Sequence, residues 1–141
     1  MSYYVEMTEC KFFMSAAKVK RAWMAVTEAA VKEVTQKPRV RATLGEAVVV
    51  YVYPTPEDMF YSHGGFRVTR DAKGSITHLL YVGNKYTGRQ EFLQEIAPYV
   101  KDGSRLEFLG EDGHRWALEF RKGTMVEVGL QPARNIHRAQ S

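Results

Sequence analysis

Between Leu106 and Val128 the chain alternates apolar with polar residues through three short runs, and two glycine-bearing breaks, Gly110-Glu111-Asp112-Gly113 and Lys122-Gly123, separate them. A period of two puts successive side chains on opposite faces of a strand. Leu106, Phe108, Trp116, Leu118, Phe120 and Met125 therefore share one face of a three-stranded antiparallel meander. Arg115, Ala117, Glu119 and Arg121 take the other, which is expected to meet water. One apolar face has to be covered, so the rest of the chain must supply elements that pack on it.

Those elements can be read in order. Residues 3–14, YYVEMTECKFFM, alternate well enough for a first strand with Val5, Met7 and one of Phe12 or Phe13 inward. Ser15 is an N-cap candidate, and Val19, Trp23, Val26, Ala30 and Val34 follow at spacings of four, three, four and four. That spacing lines up one stripe of a long helix, which Lys37-Pro38 ends. Ala47–Tyr53, AVVVYVY, is apolar on both faces and is expected as a strand covered on both sides or meeting a partner. Thr55-Pro56-Glu57-Asp58 carries a cap, a first-turn proline and early acids, so a short helix should start there and stop near His63-Gly64-Gly65. FRVTR and SITHLLYV flank Asp71-Ala72-Lys73-Gly74 and form a hairpin over residues 66–82. Thr87 and Gln90 are spaced as a capping box for a helix that buries Phe92, Leu93, Ile96 and Val100, with Pro98 in its last turn. The expected fold class is α+β: a single domain with a mainly antiparallel sheet, a long N-terminal helix and two shorter helices on one face, and a C-terminal three-stranded meander. The domain is expected over residues 1–128, with 129–141 as a loose tail.

A chain of 141 residues, 45% of them hydrophobic, can bury one ordinary core without metal or disulfide staples. Cys10 is the single cysteine, so neither an intramolecular disulfide nor a cysteine zinc cage can form. No apolar run reaches the roughly 20 residues of a membrane span and the start lacks the pattern of a secretory signal, which gives a cytoplasmic expectation. The net charge of +4 is unevenly placed: residues 1–43 hold eight Lys/Arg against four Asp/Glu, and the remainder holds twelve against twelve. Lys18, Lys20, Arg21, Lys37, Arg39 and Arg41 are the candidate contacts for a partner or for phosphates. The plain alternative is a solvated helix face followed by a basic loop.

Other chemistry is poorly supported. Gly110-Glu111-Asp112-Gly113 reads as a turn rather than a cation site, because no D-x-D-x-D-G pattern accompanies its carboxylates. His63, His78, His114 and His137 lack metal-ligand spacing, and Cys10 sits in a strand where a buried, inert thiol is expected. There is no phosphate-binding glycine loop and no nucleophile elbow. The adjacent pairs Glu57/Asp58 and Glu111/Asp112 diverge and cannot frame a substrate as a hydrolase pair does. No catalytic, metal or cofactor residue is assigned. Tyr3, Tyr4, Tyr51, Tyr53, Tyr81 and Tyr86 could stack bases beside basic residues, although packing accounts for most of them.

The stretch Glu95–Glu127 runs as a helix closing in Ala97-Pro98-Tyr99-Val100, an Asp102-Gly103-Ser104 turn, a strand, Gly110-Glu111-Asp112-Gly113 and a strand containing Trp116. In that order it resembles the ending of a group of small uncharacterised α+β proteins of bacteria, their phages and other mobile elements. The opening strand and helix and the stretch from TPEDMF to SITHLLYVG are similar to the same group. The resemblance implies a compact α+β fold and an accessory role, with no catalytic residue to carry over. The resulting expectation is a non-enzymatic interaction protein, of the kind encoded by phages or mobile elements, that occupies the surface of a protein partner such as a host defence component. A nucleic-acid-binding protein using the basic first third is the alternative, and a small hydrolase or transferase needing His63 and His114 together is the third.

Overall fold

The computed structural model describes residues 4–36, 53–83 and 89–130. In chain order they form β1 (Val5–Lys11), α1 (Ala16–Gln36), α2 (Pro56–Met59) running into a π-turn at Phe60–Gly64, β2 (Phe66–Arg70), β3 (Ile76–Tyr81), α3 (Arg89–Ile96) with a 3-10 turn at Ala97–Tyr99, β4 (Arg105–Gly110), β5 (Arg115–Arg121) and β6 (Thr124–Leu130). This is the expected α+β arrangement, with the meander β4-β5-β6 joined at β4 by β1 in an antiparallel sheet ordered β1-β4-β5-β6. The hairpin β2-β3 is a second, two-stranded sheet, tied to the first region by an antiparallel bridge from Met14 to Ile76.

Local chemistry explains the boundaries. Ser15 caps α1: its Oγ accepts from the Lys18 N–H at 3.4 Å and its carbonyl from Val19 at 2.8 Å. Thr55 does the same for α2, accepting from the Asp58 N–H at 3.1 Å, with Pro56 at the first helical position. Gly65, at φ 76°, closes the π-turn in the left-handed region. Two buried serines hold the joint between β1 and α1: Ser104 Oγ accepts from Phe13 N–H and Ser75 Oγ from Ala16 N–H, both at 3.2 Å. Such bonds cost little to form and much to lose in a buried joint, because the orphaned amide then has no water to turn to.

A single apolar cluster joins the layers. Val19, Ala22 and Val26 come from α1, Met59 and Phe60 from α2 and its turn, Phe66, Ile76, Leu79 and Tyr81 from the hairpin, and Phe92, Leu93 and Ile96 from α3. They meet Leu106, Phe108, Trp116, Leu118 and Phe120 of the sheet, the face read from the alternation. Rings set the spacing, with Phe60 edge-on to Phe92 at 5.1 Å and Phe108 stacked on Trp116 at 5.7 Å.

Several expectations need correction. The buried stripe of α1 centres on Val19, Ala22 and Val26, while Trp23 is half-buried and donates its indole N–H to the Tyr53 carbonyl at 2.9 Å. A large amphipathic ring sits at the stripe's margin, where its polar edge can find an acceptor, and the small Ala22 lets the helix approach the core. The far face of the meander does not simply meet water. Ala117 is fully buried there, under Arg105, Glu107, Arg115 and Glu119, which pair with one another across β4 and β5. Long side chains drawn together by opposite charge close over the one small residue between them. β6 continues to Leu130, two residues past the expected domain end. Apart from Tyr53, the expected strand Ala47–Tyr53 lies outside the described residues, as do Thr87 of the expected capping box and residues 131–141 of the expected tail.

Candidate interaction surface

The candidate surface begins at the first turns of α1. Lys18, Lys20 and Arg21 are all exposed, and no acidic residue shares the first turn. Among the described residues none of the three forms an ion pair. Lys18 and Arg21 are three apart and so lie on one flank of the helix. Lys18, in the first turn, opposes the helix dipole, whose positive end would favour an anion, at a cost of about 0.3–1 kcal/mol, while Lys20 and Arg21 follow in the second turn. Lys37, Arg39 and Arg41, the other candidate contacts, lie outside the described residues.

Lys18 also lines a concavity of about 400 Å³ whose wall includes Phe13, Ser15, Tyr99, Lys101 and Asp102. Its shape is set by the chain turning after α3: Lys101 N–H donates to the Phe13 carbonyl at 2.9 Å, and Asp102 Oδ1 accepts from the Lys122 N–H at 2.8 Å. The Lys101 ammonium stands 5.6 Å above the Phe13 ring. Two lysines from distant parts of the sequence thus share one hollow beside the capped end of α1. Sequence reasoning found Lys18 through the charge asymmetry. It missed Lys101, which has no basic neighbour in sequence and reaches this place only through the Ala97–Tyr99 turn.

Among the described residues His63, His78 and His114 form no cluster, and His137 lies outside the described residues. His63 Nε2 lies 2.8 Å from Glu95 Oε1 on α3, with its ring stacked against Tyr53 at 5.9 Å and edge-on to Phe92 at 5.1 Å. Burial, aided by the negative charge of Glu95, pushes the Tyr53 hydroxyl above its ordinary pKa. His114, at the β4–β5 turn, stacks on Trp116 at 5.2 Å. Among the described residues no three His, Cys, Asp or Glu side chains gather closely enough to hold a metal ion. Burial also raises the Cys10 thiol pKa, against the smaller opposing effect of the Leu79 N–H, which donates to its sulfur at 3.4 Å.

Gly110-Glu111-Asp112-Gly113 is a turn. Gly113 has φ 86° and donates to the Gly110 carbonyl at 3.0 Å, while Asp112 Oδ1 accepts from the His114 N–H at 3.0 Å. Of the tyrosines considered for base stacking, Tyr81 is buried in the core and Tyr53 is half-buried, Tyr4 is exposed, and Tyr3, Tyr51 and Tyr86 lie outside the described residues. No helix among the described residues is long and apolar enough to cross a membrane. Set beside known proteins, the chain matches no family profile, no curated protein and no solved structure.

Proposed function

We propose that this is a non-enzymatic interaction protein, an accessory factor of the phage or mobile-element kind, that docks the basic first turns of α1 on an acidic surface of a protein partner. It acts by occupying that surface. The observation that carries this reading is the exposure of Lys18, Lys20 and Arg21, without ion pairs among the described residues, at the helix end that favours anions. In the isolated chain this arrangement is unfavourable, and a partner's carboxylates relieve it. A host defence component is the partner class that the resemblance of the sequence suggests.

Two measurements test the reading. Tagged protein is used to capture partners from a host lysate with and without nuclease, in parallel with a Lys18→Glu/Arg21→Glu variant. A nuclease-resistant protein held by the native chain and lost by the variant is the expected result. Material that disappears with nuclease and with rising salt would replace the protein partner by nucleic acid, since each neutralised phosphate releases counterions.

Lys18→Glu has a second expected consequence, on stability. Lys18 is the third residue of α1 after the Ser15 cap, so glutamate there completes a capping box and suits the helix dipole. Thermal unfolding should show a gain of about 0.5–1 kcal/mol. A variant that is more stable and binds less well separates the role of this lysine from folding; a loss of stability would sink the account of the helix end.

A further inference from the structure

We infer that the outer face of the β2-β3 hairpin is a second docking surface, fitted to a protein segment that presents a carboxylate between two apolar side chains. The inference rests on the reading of the chain as an interaction protein, but not on the basic end of α1.

Strand register places the surface. Phe66 pairs with Tyr81 and Val68 with Leu79, and these turn toward the core; Arg67 pairs with Leu80 and Thr69 with His78, and these turn outward. Leu80 remains 51% exposed and Tyr61, on the neighbouring π-turn, 54% exposed. Between them stands Arg67, its guanidinium carbon 5.9 Å from the centre of the Tyr61 ring. An arginine beside an exposed tyrosine has the composition of a binding hot spot, and Leu80 adds the surrounding apolar contact that excludes water from such an anchor.

Charge then selects the occupant. The carboxylates on the adjoining helix α2 are already engaged: Glu57 holds Arg70 at 2.9 Å, and Asp58 accepts from the Thr55 hydroxyl at 2.8 Å. Among the described residues Arg67 makes no ion pair and no side-chain hydrogen bond. The Tyr61 ring lies within cation–π range of the guanidinium, whose donors have no side-chain partner among the described residues, and a planar fork of donors matches a carboxylate bidentately. Leu80 and Tyr61 give the apolar neighbours of that carboxylate their contact surface.

The probe is a blocked pentapeptide with one glutamate flanked by leucines, titrated into the isotope-labelled full chain and followed by NMR at the backbone amides and the Arg67 Nε–H. Saturable shifts are expected at Tyr61, Arg67 and Leu80. Affinity should fall about tenfold when glutamine replaces the peptide's glutamate and when the protein carries Arg67→Gln, the scale of a lost charge-assisted hydrogen bond. Leu80→Ala, an exposed change that leaves the charge in place, should weaken binding too. Absence of saturable shifts on the hairpin overturns the inference. So does a short oligothymidylate that shifts the same residues at lower concentration. Shifts confined to Lys18, Lys20 and Arg21 would remove this second surface and leave the first; shifts confined to the hairpin support this surface and leave the first to its own capture experiment.

Discussion

Phe92→Ala should lower the unfolding free energy by about 3–5 kcal/mol, the usual cost of truncating a fully buried aromatic ring. For a chain of this size that corresponds to a fall in Tm of about 10–15 °C. Phe92 has no exposed surface, and its ring seats α3 against three residues of the π-turn: Phe60 packs on it edge-on, His63 meets it three residues further along, and Gly64 backs directly against it. Removing it leaves a cavity that the rigid neighbours cannot fill. Thermal or denaturant unfolding followed by circular dichroism is the check. Near-native stability would mean that α3 does not seat against α2 and its π-turn as described.

Gly64→Ala tests the same contact from the other side. A Cβ on Gly64 would come within 2.5 Å of Phe92 Cδ2, 2.7 Å of its Cε2 and 3.0 Å of Phe66 Cδ2. These are buried rings held by other packing, so the added methyl must push them aside, and overpacking of this kind costs about 1–3 kcal/mol. The two changes should then be non-additive. In Gly64→Ala/Phe92→Ala the space vacated by the ring admits the methyl, and the double variant should be more stable than the sum of the single losses by about 1 kcal/mol or more. Strict additivity in the cycle would show that Gly64 and Phe92 are not in contact. The cost of Gly64→Ala does not come from backbone strain, because the residue that takes the left-handed conformation here is Gly65, at φ 76°.

The ion pairs on the far face of the main sheet have less leverage than these rings. Arg105, Glu107, Arg115, Glu119 and Arg121 form a connected group, and Glu107 and Glu119 are largely covered. Pairs of this kind partly return in Coulomb energy what they lose in desolvation, so their clearer role is to shield Ala117 and hold β4 and β5 in register. They also withdraw arginines from binding. Arg105, Arg115 and Arg121 face partners within their own sheet, whereas Arg67, Lys18, Lys20 and Arg21 form no ion pair among the described residues.

Much of the fold was legible because it depends on local rules. A period of two, interrupted at Glu111-Asp112-Gly113 and Lys122-Gly123, is enough to specify the meander and its apolar face. Ser15, the Thr55-Pro56 pair and the Gly64-Gly65 stop mark helix ends through hydrogen bonds and backbone angles that reach only a few residues. The charge asymmetry pointed to Lys18, Lys20 and Arg21, which the helix then exposes together.

Long-range placement was not legible, and the particular misses share that cause. Nothing near Glu95 in sequence indicates His63, 32 residues away, and nothing near Lys101 indicates Lys18. Periodicity put Trp23 on the buried stripe and passed over Ala22, but only the distance between α1 and the core decided that the small residue is buried and the indole turns to the Tyr53 carbonyl. Alternation likewise assigned Ala117 to the outer face, where it lies, yet its burial required Arg105, Glu107, Arg115 and Glu119 to meet across two strands. By itself the sequence determined which segments become strands, helices and turns, since those choices follow from side-chain periodicity and short-range hydrogen bonding. The tertiary structure alone decided which charges neutralise one another and which stay exposed, because ion pairing depends on distances that chain separation does not encode.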